Sequence, residues 1–507
     1  DHRDLHSFPT RRSSDLFLVA NLNRIWNLTI SPEPKRRIVT RDGFKSHGPV
    51  LAVLFLGVLM AALDIAILGP AIPAIRDAFG LTEREVSWVF SIWVLANLVS
   101  VPITTKLADM YGRKPVYLTV IGLFALGGAI VAGSQSLVML LAGRAVQGAA
   151  ASGIFPVAGA VIGDAFEPEK RGRAFGVLGS VFGVAFIIGP ILAGFILLIG
   201  WRWLYLLFVP VSILVIILGW RILPSTKAKE NTPLDLLGLT TLAAILLALS
   251  YGLSVLDTGD LWASLFGGRV LLSILIVSAL IPVFFWAERR AVDPVIRTDL
   301  FRNKQVSVTL LVAIGAGMNE AAFIFFPTIA VLAYGVTSSQ ASFMLLPLML
   351  AVAIGSPIAG RILDRTGSKF IVLICNVMLG LGMLGIATSP SSKTVFYVSS
   401  VLIGLGLAGL MGSALSYILL HEARKQERAI SQGVITLFIS IGQLLAAATV
   451  GSIAASSNVE LEGYQSAFLV LAVVTMLITG MSFRLKNRLL EKETVFGTNS
   501  GDGLENV

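Results

Sequence analysis

Charged residues are scarce in this chain of 507 residues. Only 14% of its residues are Asp, Glu, Lys or Arg, whereas 55% are apolar, and the mean hydropathy is +0.83. A soluble globular protein of this length needs more charged residues to cover its surface. The composition therefore excludes that class and indicates a protein embedded in a membrane.

Other absences exclude metal sites built from cysteine or rich in histidine, and the use of ATP through a Gly-rich phosphate loop. Cys375 is the single cysteine, so neither an intramolecular disulfide nor a cysteine-based metal site can form. Two of the four histidines lie in the first six residues, which leaves too few for a histidine-rich metal site. The phosphate-binding pattern Gly-x-x-x-x-Gly-Lys-Ser/Thr is also missing. We expect no cofactor and no enzymatic activity.

The two ends of the chain are polar. Residues 1–16 lack an initiator Met and resemble a translated sequencing adapter, so we expect them to be non-native. Residues 17–47 are mixed and basic and are predicted to form a cytoplasmic N-terminal segment. Residues 487–507 are predicted to form a cytoplasmic tail.

Between these ends, fourteen apolar runs are long enough to cross a bilayer as helices, which takes about 20 residues each. The sequence therefore predicts an all-α membrane protein with fourteen transmembrane helices. The predicted spans lie at roughly 50–75, 86–105, 115–134, 137–161, 173–199, 203–222, 235–255, 270–286, 307–333, 339–359, 370–388, 394–419, 430–455 and 466–483.

Basic residues predict the orientation of these spans. With the N-terminus in the cytoplasm, most Lys and Arg residues fall in cytoplasmic segments, which is the distribution expected of a membrane protein. Both termini are then cytoplasmic, and we expect a multi-pass protein of the inner (plasma) membrane. The net charge of +9 is explained by contact with anionic lipid headgroups, so nucleic-acid binding is disfavoured. The predicted external loops carry only Arg76, Arg84, Arg202, Arg269 and Lys393.

An internal repeat divides the spans. The turn Lys106-Leu-Ala-Asp-Met-Tyr-Gly-Arg-Lys114 recurs in degraded form as Arg361-Ile-Leu-Asp-Arg-Thr-Gly-Ser-Lys369, so that Asp109 matches Asp364 and Gly112 matches Gly367. A duplication inside a hydrophobic protein is typical of transporters. We predict an N-terminal six-helix bundle at 48–222, a linker with two extra helices at 223–306, and a C-terminal six-helix bundle at 307–486.

Five motifs resemble those of one family, the fourteen-span drug:proton antiporters of the major facilitator superfamily. The resemblance covers residues 48–490 and implies alternating access between two six-helix bundles, with a small-molecule substrate and protons as partners. The motifs are Leu63-Asp-Ile-Ala-Ile-Leu-Gly-Pro-Ala-Ile-Pro73, Leu107-Ala-Asp-Met-Tyr-Gly-Arg-Lys114, Arg144-Ala-Val-Gln-Gly148, Gly189-Pro-Ile-Leu-Ala-Gly194, and Trp201-Arg-Trp203 followed by Val209-Pro210.

Three polar residues in the first and fourth spans are candidates for proton coupling. Arg144 lies inside the fourth span, where a guanidinium needs a partner or a water-filled cavity. It either perturbs a nearby carboxylate, with Gln147 beside it, or anchors backbone carbonyls. Asp64, near the middle of the first span, can alternate between protonated and ionised forms and can attract a cationic substrate. The alternative for Asp64 is a structural hydrogen bond between helices.

Glu320 is the second acid predicted inside the membrane. An offset of 257 residues places it beside Asp64 in the repeat, so the two acids are expected to face each other across a central cavity. The alternative is a buried structural carboxylate bonded to Asn319 or to neighbouring helices. The sequence favours neither interpretation.

Two further motifs are assigned to gating or structure. The repeated turns are predicted to lie on the cytoplasmic side and are interpreted as a gating element, which comprises Asp109, Gly112, Arg113 and Lys114, with Asp364 in the second copy. The alternative for Arg113 and Lys114 is the general enrichment of basic residues in cytoplasmic loops. In the fifth span, Pro190 predicts a bend that seals the cavity against proton leak. The glycines of that span, Gly179, Gly183, Gly189 and Gly194, predict close helix contact.

The sequence thus predicts a proton-coupled exporter of amphipathic, mainly cationic, drugs or xenobiotics. One alternative is an exporter of an endogenous lipid, siderophore or metabolite on the same scaffold. Another is a membrane sensor or assembly subunit that has lost transport, against which the retained intramembrane charges argue. The need for a periplasmic adaptor is left open, and membrane lipids are expected partners.

Overall fold

The computed structural model describes residues 47–225, 235–291, 303–422 and 428–488. Within these ranges every regular element is a helix, which confirms the all-α prediction. The predicted segments 1–16 and 17–47 lie outside the described residues except for His47, and the predicted tail lies outside them except for residues 487 and 488.

Residues 47–222 form the set of helices that we call the N-terminal group. Helix α2 begins at a complete capping box, in which Thr82 and Glu85 satisfy each other's backbone amides. The helices of this group are α1 (His47–Phe79), α2 (Glu83–Tyr111), α3 (Arg113–Ala132), α4 (Leu137–Ala165), α5 (Pro168–Ile196), α6 (Arg202–Leu206) and α7 (Phe208–Ile222).

The inserted helices and the C-terminal group follow. Helix α8 packs against both α2 and α18, whereas α10 packs on α8. The inserted helices are α8 (Leu236–Ser254), α9 (Leu261–Leu265) and α10 (Gly268–Arg290). The C-terminal group comprises α11 (Lys304–Phe323), α12 (Phe326–Tyr334), α13 (Ser338–Met344), α14 (Leu346–Thr366), α15 (Ser368–Thr388), α16 (Lys393–Gly409), α17 (Leu415–Glu422), α18 (Arg428–Ala455) and α19 (Glu460–Ser482).

Thirteen helical segments of the described chain are long and apolar enough to cross a membrane. The one predicted span without a counterpart among these segments is the twelfth, 394–419. It begins as α16, which is only 17 residues long, and continues through a π-helical turn at Leu410–Ala414 into α17. The predicted span 307–333 also breaks, and α12 starts with a proline in its first turn. Proline suits that position because the first turn needs no amide donor.

The two copies of the repeated turn have matching backbone geometry. Gly112 joins α2 to α3 with φ of 94°, and Gly367 joins α14 to α15 with φ of 86°. Residues with a side chain rarely adopt such a positive φ. In both turns the lysine two residues later donates to a backbone carbonyl at 2.6 Å, Lys114 to Trp220 and Lys369 to Phe483. We call the end of the bundle that carries these two turns the motif end.

A substitution at either glycine tests this equivalence. We expect Gly112→Ala and Gly367→Ala each to destabilise the protein by about 1–3 kcal/mol, because the added Cβ is strained at that φ. Gly163→Ala and Gly360→Ala are matched controls, since a Cβ at either helical glycine would meet no atom within 4 Å. Thermal unfolding in detergent measures all four variants, and equal melting temperatures would contradict the expectation.

Candidate functional site

A buried ion pair joins α1 to α4 in the middle of the N-terminal group. Nη1 of Arg144 donates to both carboxylate oxygens of Asp64 at 2.9 Å and to Oε1 of Gln147 at 3.0 Å. Nε of Arg144 donates to the Val89 carbonyl oxygen at 3.2 Å. The side chains of Asp64 and Arg144 are 0% and 1% exposed. The structure therefore brings together the three residues that the sequence singled out in these spans.

Close helix packing positions these side chains. A Cβ at Gly148 would overlap the backbone of Trp93, so the glycine after Gln147 lets α4 approach α2 directly. On the neighbouring side of α4, a Cβ at Gly127 would lie 2.7 Å from Cγ of Gln147. Small residues allow helices in a membrane to approach closely. The Arg144-Ala-Val-Gln-Gly148 motif thus combines the polar groups with the contact that buries them.

Glu320 lies in a second polar site, between α11 and α18 of the C-terminal group. Its Oε2 accepts a hydrogen bond of 2.7 Å from Nε2 of Gln443, and its side chain is partly exposed. Two glycines bring these helices together, because a Cβ at Gly317 would overlap the carbonyl of Ile439 and one at Gly442 would overlap the carbonyl of Ile314. Sequence reasoning missed Gln443. Its only signal was a Gly–Gln pair within a predicted span.

Asn319 is not the partner of Glu320. Its amide nitrogen donates to the Gly315 carbonyl at 2.7 Å and to Oγ1 of Thr475 at 2.9 Å, on the α19 side of the helix. Neighbouring residues on a helix point about 100° apart, so Asn319 and Glu320 reach different neighbours. Of the two structural alternatives for Glu320, a bond to Asn319 or a bond to a neighbouring helix, the structure therefore supports the second, through Gln443 of α18.

Helices α1 and the end of α11 meet between the two groups, since a Cβ at Gly69 would lie 3.0 Å from the carbonyl oxygen of Ile324. Asp64 and Glu320 precede this contact by five and four residues in helices that run in the same direction. A rise of 1.5 Å per residue places both at a similar depth, roughly 6–8 Å from the contact toward the motif end. Each nevertheless has its own partner, Arg144 for Asp64 and Gln443 for Glu320.

At the motif end, the close ionic partner of Arg113 is Asp164 rather than Asp109. Nε of Arg113 lies 2.6 Å from Oδ2 of Asp164, at the end of α4, and its Nη2 lies 3.8 Å from Asp109. Asp109 is half exposed, and Asp364 in the second copy is exposed. The backbone carbonyl of Asp364 accepts a hydrogen bond of 3.0 Å from Arg488. Asp164 is a further partner that sequence reasoning missed.

The Gly-Pro segment of α5 contacts the C-terminal group. Oγ of Ser342 donates to the Pro190 carbonyl at 2.7 Å, and Oγ of Ser339 donates to the Gly194 carbonyl at 2.6 Å. Gly194 faces the ring of Phe343, and Gly189 faces Ala66 of α1. The predicted close contact is confirmed at these two glycines. At Gly179 and Gly183 a Cβ would meet no atom within 4 Å, so the prediction of close contact was wrong there.

A charged cluster, which we call the Arg76 cluster, joins the two groups at the end opposite the motif end. Nη1 of Arg76 lies 2.5 Å from Glu83 and 2.9 Å from Glu460, and the Tyr464 hydroxyl donates to Glu83. Glu83 is 5% exposed and Tyr464 is 1% exposed. Together with the contacts of α5, this cluster links the two groups at that end of the bundle. The sequence had shown Arg76 only as a charge in a predicted external loop.

Substitutions in the Arg76 cluster test whether its contacts keep that end of the bundle closed. Glu83→Gln keeps the shape of the side chain but removes the charge that pairs with Arg76, so the closed end is expected to open more often. We expect a cysteine introduced at Ala341, a buried residue of α13 that makes none of these side-chain hydrogen bonds, to react several-fold faster with a membrane-impermeant maleimide in a Cys375→Ser background. Tyr464→Phe should act in the same direction.

Glu462→Gln is the matched control for this experiment, because Glu462 lies in the same first turn of α19 as Glu460 but is exposed. Unchanged labelling in Glu83→Gln and Tyr464→Phe would show that the cluster does not hold this end closed.

The chain is similar to known proteins over most of its length. The family model described as Major Facilitator Superfamily matches residues 54–303 and 306–497. An uncharacterised MFS-type transporter, YfiU, of Bacillus subtilis is 33% identical over 408 residues, which are 79% of each chain. Multidrug resistance protein 3 of the same organism is 29% identical over 66% of this chain and 65% of its own.

Solved structures show the same fold. A D-xylose-proton symporter superposes with a TM-score of 0.64 over 87% of this chain and 98% of that chain. The two sequences are only 13% identical, so this likeness concerns the fold alone.

Proposed function

The chain belongs to the major facilitator superfamily, and from that premise we propose that it is a proton-coupled exporter of amphipathic, mainly cationic, drugs or xenobiotics. It is a multi-pass membrane transporter of small molecules. The relatives include proteins named for multidrug resistance and efflux, which supports export of such compounds. Proton coupling and the substrate class are our inference from the two polar sites.

The observation that carries the proposal is the buried pair of Asp64 and Arg144. Removing one member of a buried ion pair typically costs about 3–5 kcal/mol, because the other charge is left without compensation. Protonation of Asp64 removes its charge and therefore weakens its hold on Arg144. A proton can thus change the contacts between α1 and α4, which is the link between protonation and conformation that antiport needs.

Glu320 is better placed than Asp64 to meet a cationic substrate. Asp64 is fully buried and already paired with a cation, whereas Glu320 is partly exposed and bonded to a neutral amide. An ionised carboxylate of this kind attracts an organic cation in a medium of low dielectric constant. We assign the cation to Glu320 and the proton-responsive contact to Asp64. Two roles that the sequence analysis assigned to Asp64 are thereby divided between two residues.

The closed Arg76 end supports a direction for the cycle. In the predicted orientation the motif end is cytoplasmic, and the Arg76 cluster lies on the external side. The structure then represents the state closed to the outside, and export requires the cluster and the α5 contacts to open. In this proposal the two six-helix bundles move relative to each other, and the two inserted helices connect them. The protein lies in the plasma membrane, in contact with its lipids.

Transport by purified protein in liposomes tests the function. An imposed proton gradient should drive uptake of lipophilic cations into vesicles whose protein faces inside out, and collapse of the gradient should stop it. A panel that also contains neutral drugs, lipids and siderophores separates the proposed substrates from endogenous ones. Movement of the cations at the same rate without a gradient would contradict proton coupling.

Asp64→Asn is the decisive variant for coupling. It keeps the size of the side chain and one acceptor for Arg144 but cannot ionise, so gradient-driven cation transport should fall to background while the protein still reaches the membrane. Glu462→Gln, an exposed acid outside both sites, is the control and should transport normally. Full transport by Asp64→Asn would reject the proposed mechanism.

Glu320→Gln separates a substrate role from a structural one. If Glu320 binds the cation, the variant should show a KM at least about tenfold higher for cationic substrates, a loss of about 1.4 kcal/mol of binding, with a melting temperature close to that of the native protein. If the carboxylate only pairs with Gln443, Glu320→Gln still offers an acceptor for that hydrogen bond, so both the KM for cations and the melting temperature should stay close to the native values.

A further inference from the structure

Two aromatic rings lie close to the guanidinium of Arg144, those of Trp93 and Tyr205. Neither side chain was among the candidate residues of the two polar sites. The Cζ atom of Arg144 lies 5.7 Å from the ring centroid of Trp93 in α2 and 5.7 Å from that of Tyr205 in α6. Trp93 is 7% exposed and Tyr205 is 0% exposed. Both distances fall within the range in which a cation is attracted by the face of an aromatic ring.

Backbone packing holds both rings in place. The close approach of Gly148 to the backbone of Trp93 sets the distance between α2 and α4 one turn from Arg144. The carbonyl oxygen of Tyr205 would lie 3.0 Å from a Cβ at Gly128, so α6 packs directly on α3. Trp201 packs edge-on against the Tyr205 ring at 6.2 Å. The rings are therefore fixed by the fold.

The hydroxyl of Tyr205 does not explain why this residue lies here. It is buried and has no hydrogen-bond partner among the described residues. A buried hydroxyl without a partner is costly, so it is not what stabilises the ring at this position. What Tyr205 contributes to its charged neighbour is the face of its ring.

The need for such a face arises when Asp64 is neutral. Arginine keeps its charge in proteins. If Asp64 takes up a proton, the guanidinium remains buried with only neutral acceptors, the Val89 carbonyl and Gln147. An unpaired guanidinium at this depth is costly. Cation–π attraction is strongest where both groups are shielded from water, as they are here.

We propose that Trp93 and Tyr205 are positioning residues that hold the guanidinium of Arg144 in place while Asp64 is protonated. The inference rests on the proposed function only in taking Asp64 to be the proton-responsive group. Among the described residues, the titratable groups that face Arg144 are Asp64 from α1 and Tyr205 from α6. Its polar neighbours are Gln147 from its own helix and the Val89 carbonyl from α2. The rings thus keep Arg144 ready to pair again with Asp64 when the proton leaves.

A double-mutant cycle tests the proposal without measuring transport. Tyr205→Leu removes the ring face, and Asp64→Asn imitates the protonated carboxyl by removing its charge. The melting temperature should fall about 2–4 °C further on Tyr205→Leu in the Asp64→Asn background than in the native one, because there the rings are the main support of the charge. Tyr205→Phe keeps the ring face and removes only the unpartnered hydroxyl, so its effect on the melting temperature should be the same in both backgrounds.

A second measurement applies if the leucine variant does not fold. Phenylalanine and trifluorophenylalanine at position 205 have nearly the same shape, but fluorine weakens the negative face of the ring. The fluorinated ring should lower the melting temperature more in the Asp64→Asn background than in the native one. Trp93→Phe and Trp93→Leu repeat the comparison on the other ring.

The outcomes distinguish this inference from the proposed function. Equal losses of melting temperature in the two backgrounds, for both kinds of variant, would show that the rings only fill space and would overturn the inference. Normal gradient-driven transport by Asp64→Asn would reject the proposed function whatever the melting temperatures show. Coupled losses together with a transport-deficient Asp64→Asn would support both.

Discussion

The burial of one arginine in an apolar protein constrains the whole N-terminal group. Arg144 is 1% exposed, and its donors reach a carboxylate on α1, a carbonyl on α2 and an amide on its own helix. A charge at this depth is tolerated only if such partners surround it. Three helices must therefore converge on one point, and every other contact of these helices has to be compatible with that convergence.

Glycine makes this convergence sterically feasible, and the same construction occurs in both groups. Lipid tails are as apolar as leucine, so helices in a bilayer associate through close packing rather than through the hydrophobic effect. Gly148 lies next to Gln147, and Gly442 lies next to Gln443, and each glycine contacts the backbone of the neighbouring helix. Each polar site is thus built on a crossing where no side chain separates the helices.

The two polar sites differ in what surrounds them, and this difference gives them different chemistry. Asp64 faces a guanidinium flanked by aromatic rings, so its charge state is tied to the position of a helix. Glu320 faces a neutral amide and remains partly exposed. The contacts of Pro190, Gly194 and the Arg76 cluster with the C-terminal group lie toward the opposite end from the repeated turns, so the groups are held together away from these turns.

The membrane class, the approximate positions of the spans, the repeated turn and the charged residues inside the spans can all be read from the amino-acid sequence. These follow from composition and from local patterns, because apolar length and a glycine at positive φ are properties of short segments. The partner of each charged or polar side chain is known only from the three-dimensional fold. Asp64 and Arg144 are 80 residues apart, Glu320 and Gln443 are 123 apart, and Glu83 and Tyr464 are 381 apart. The rotation of each helix about its axis selects these pairs. That rotation depends on packing against helices that are distant in the chain, which no local pattern in the sequence records.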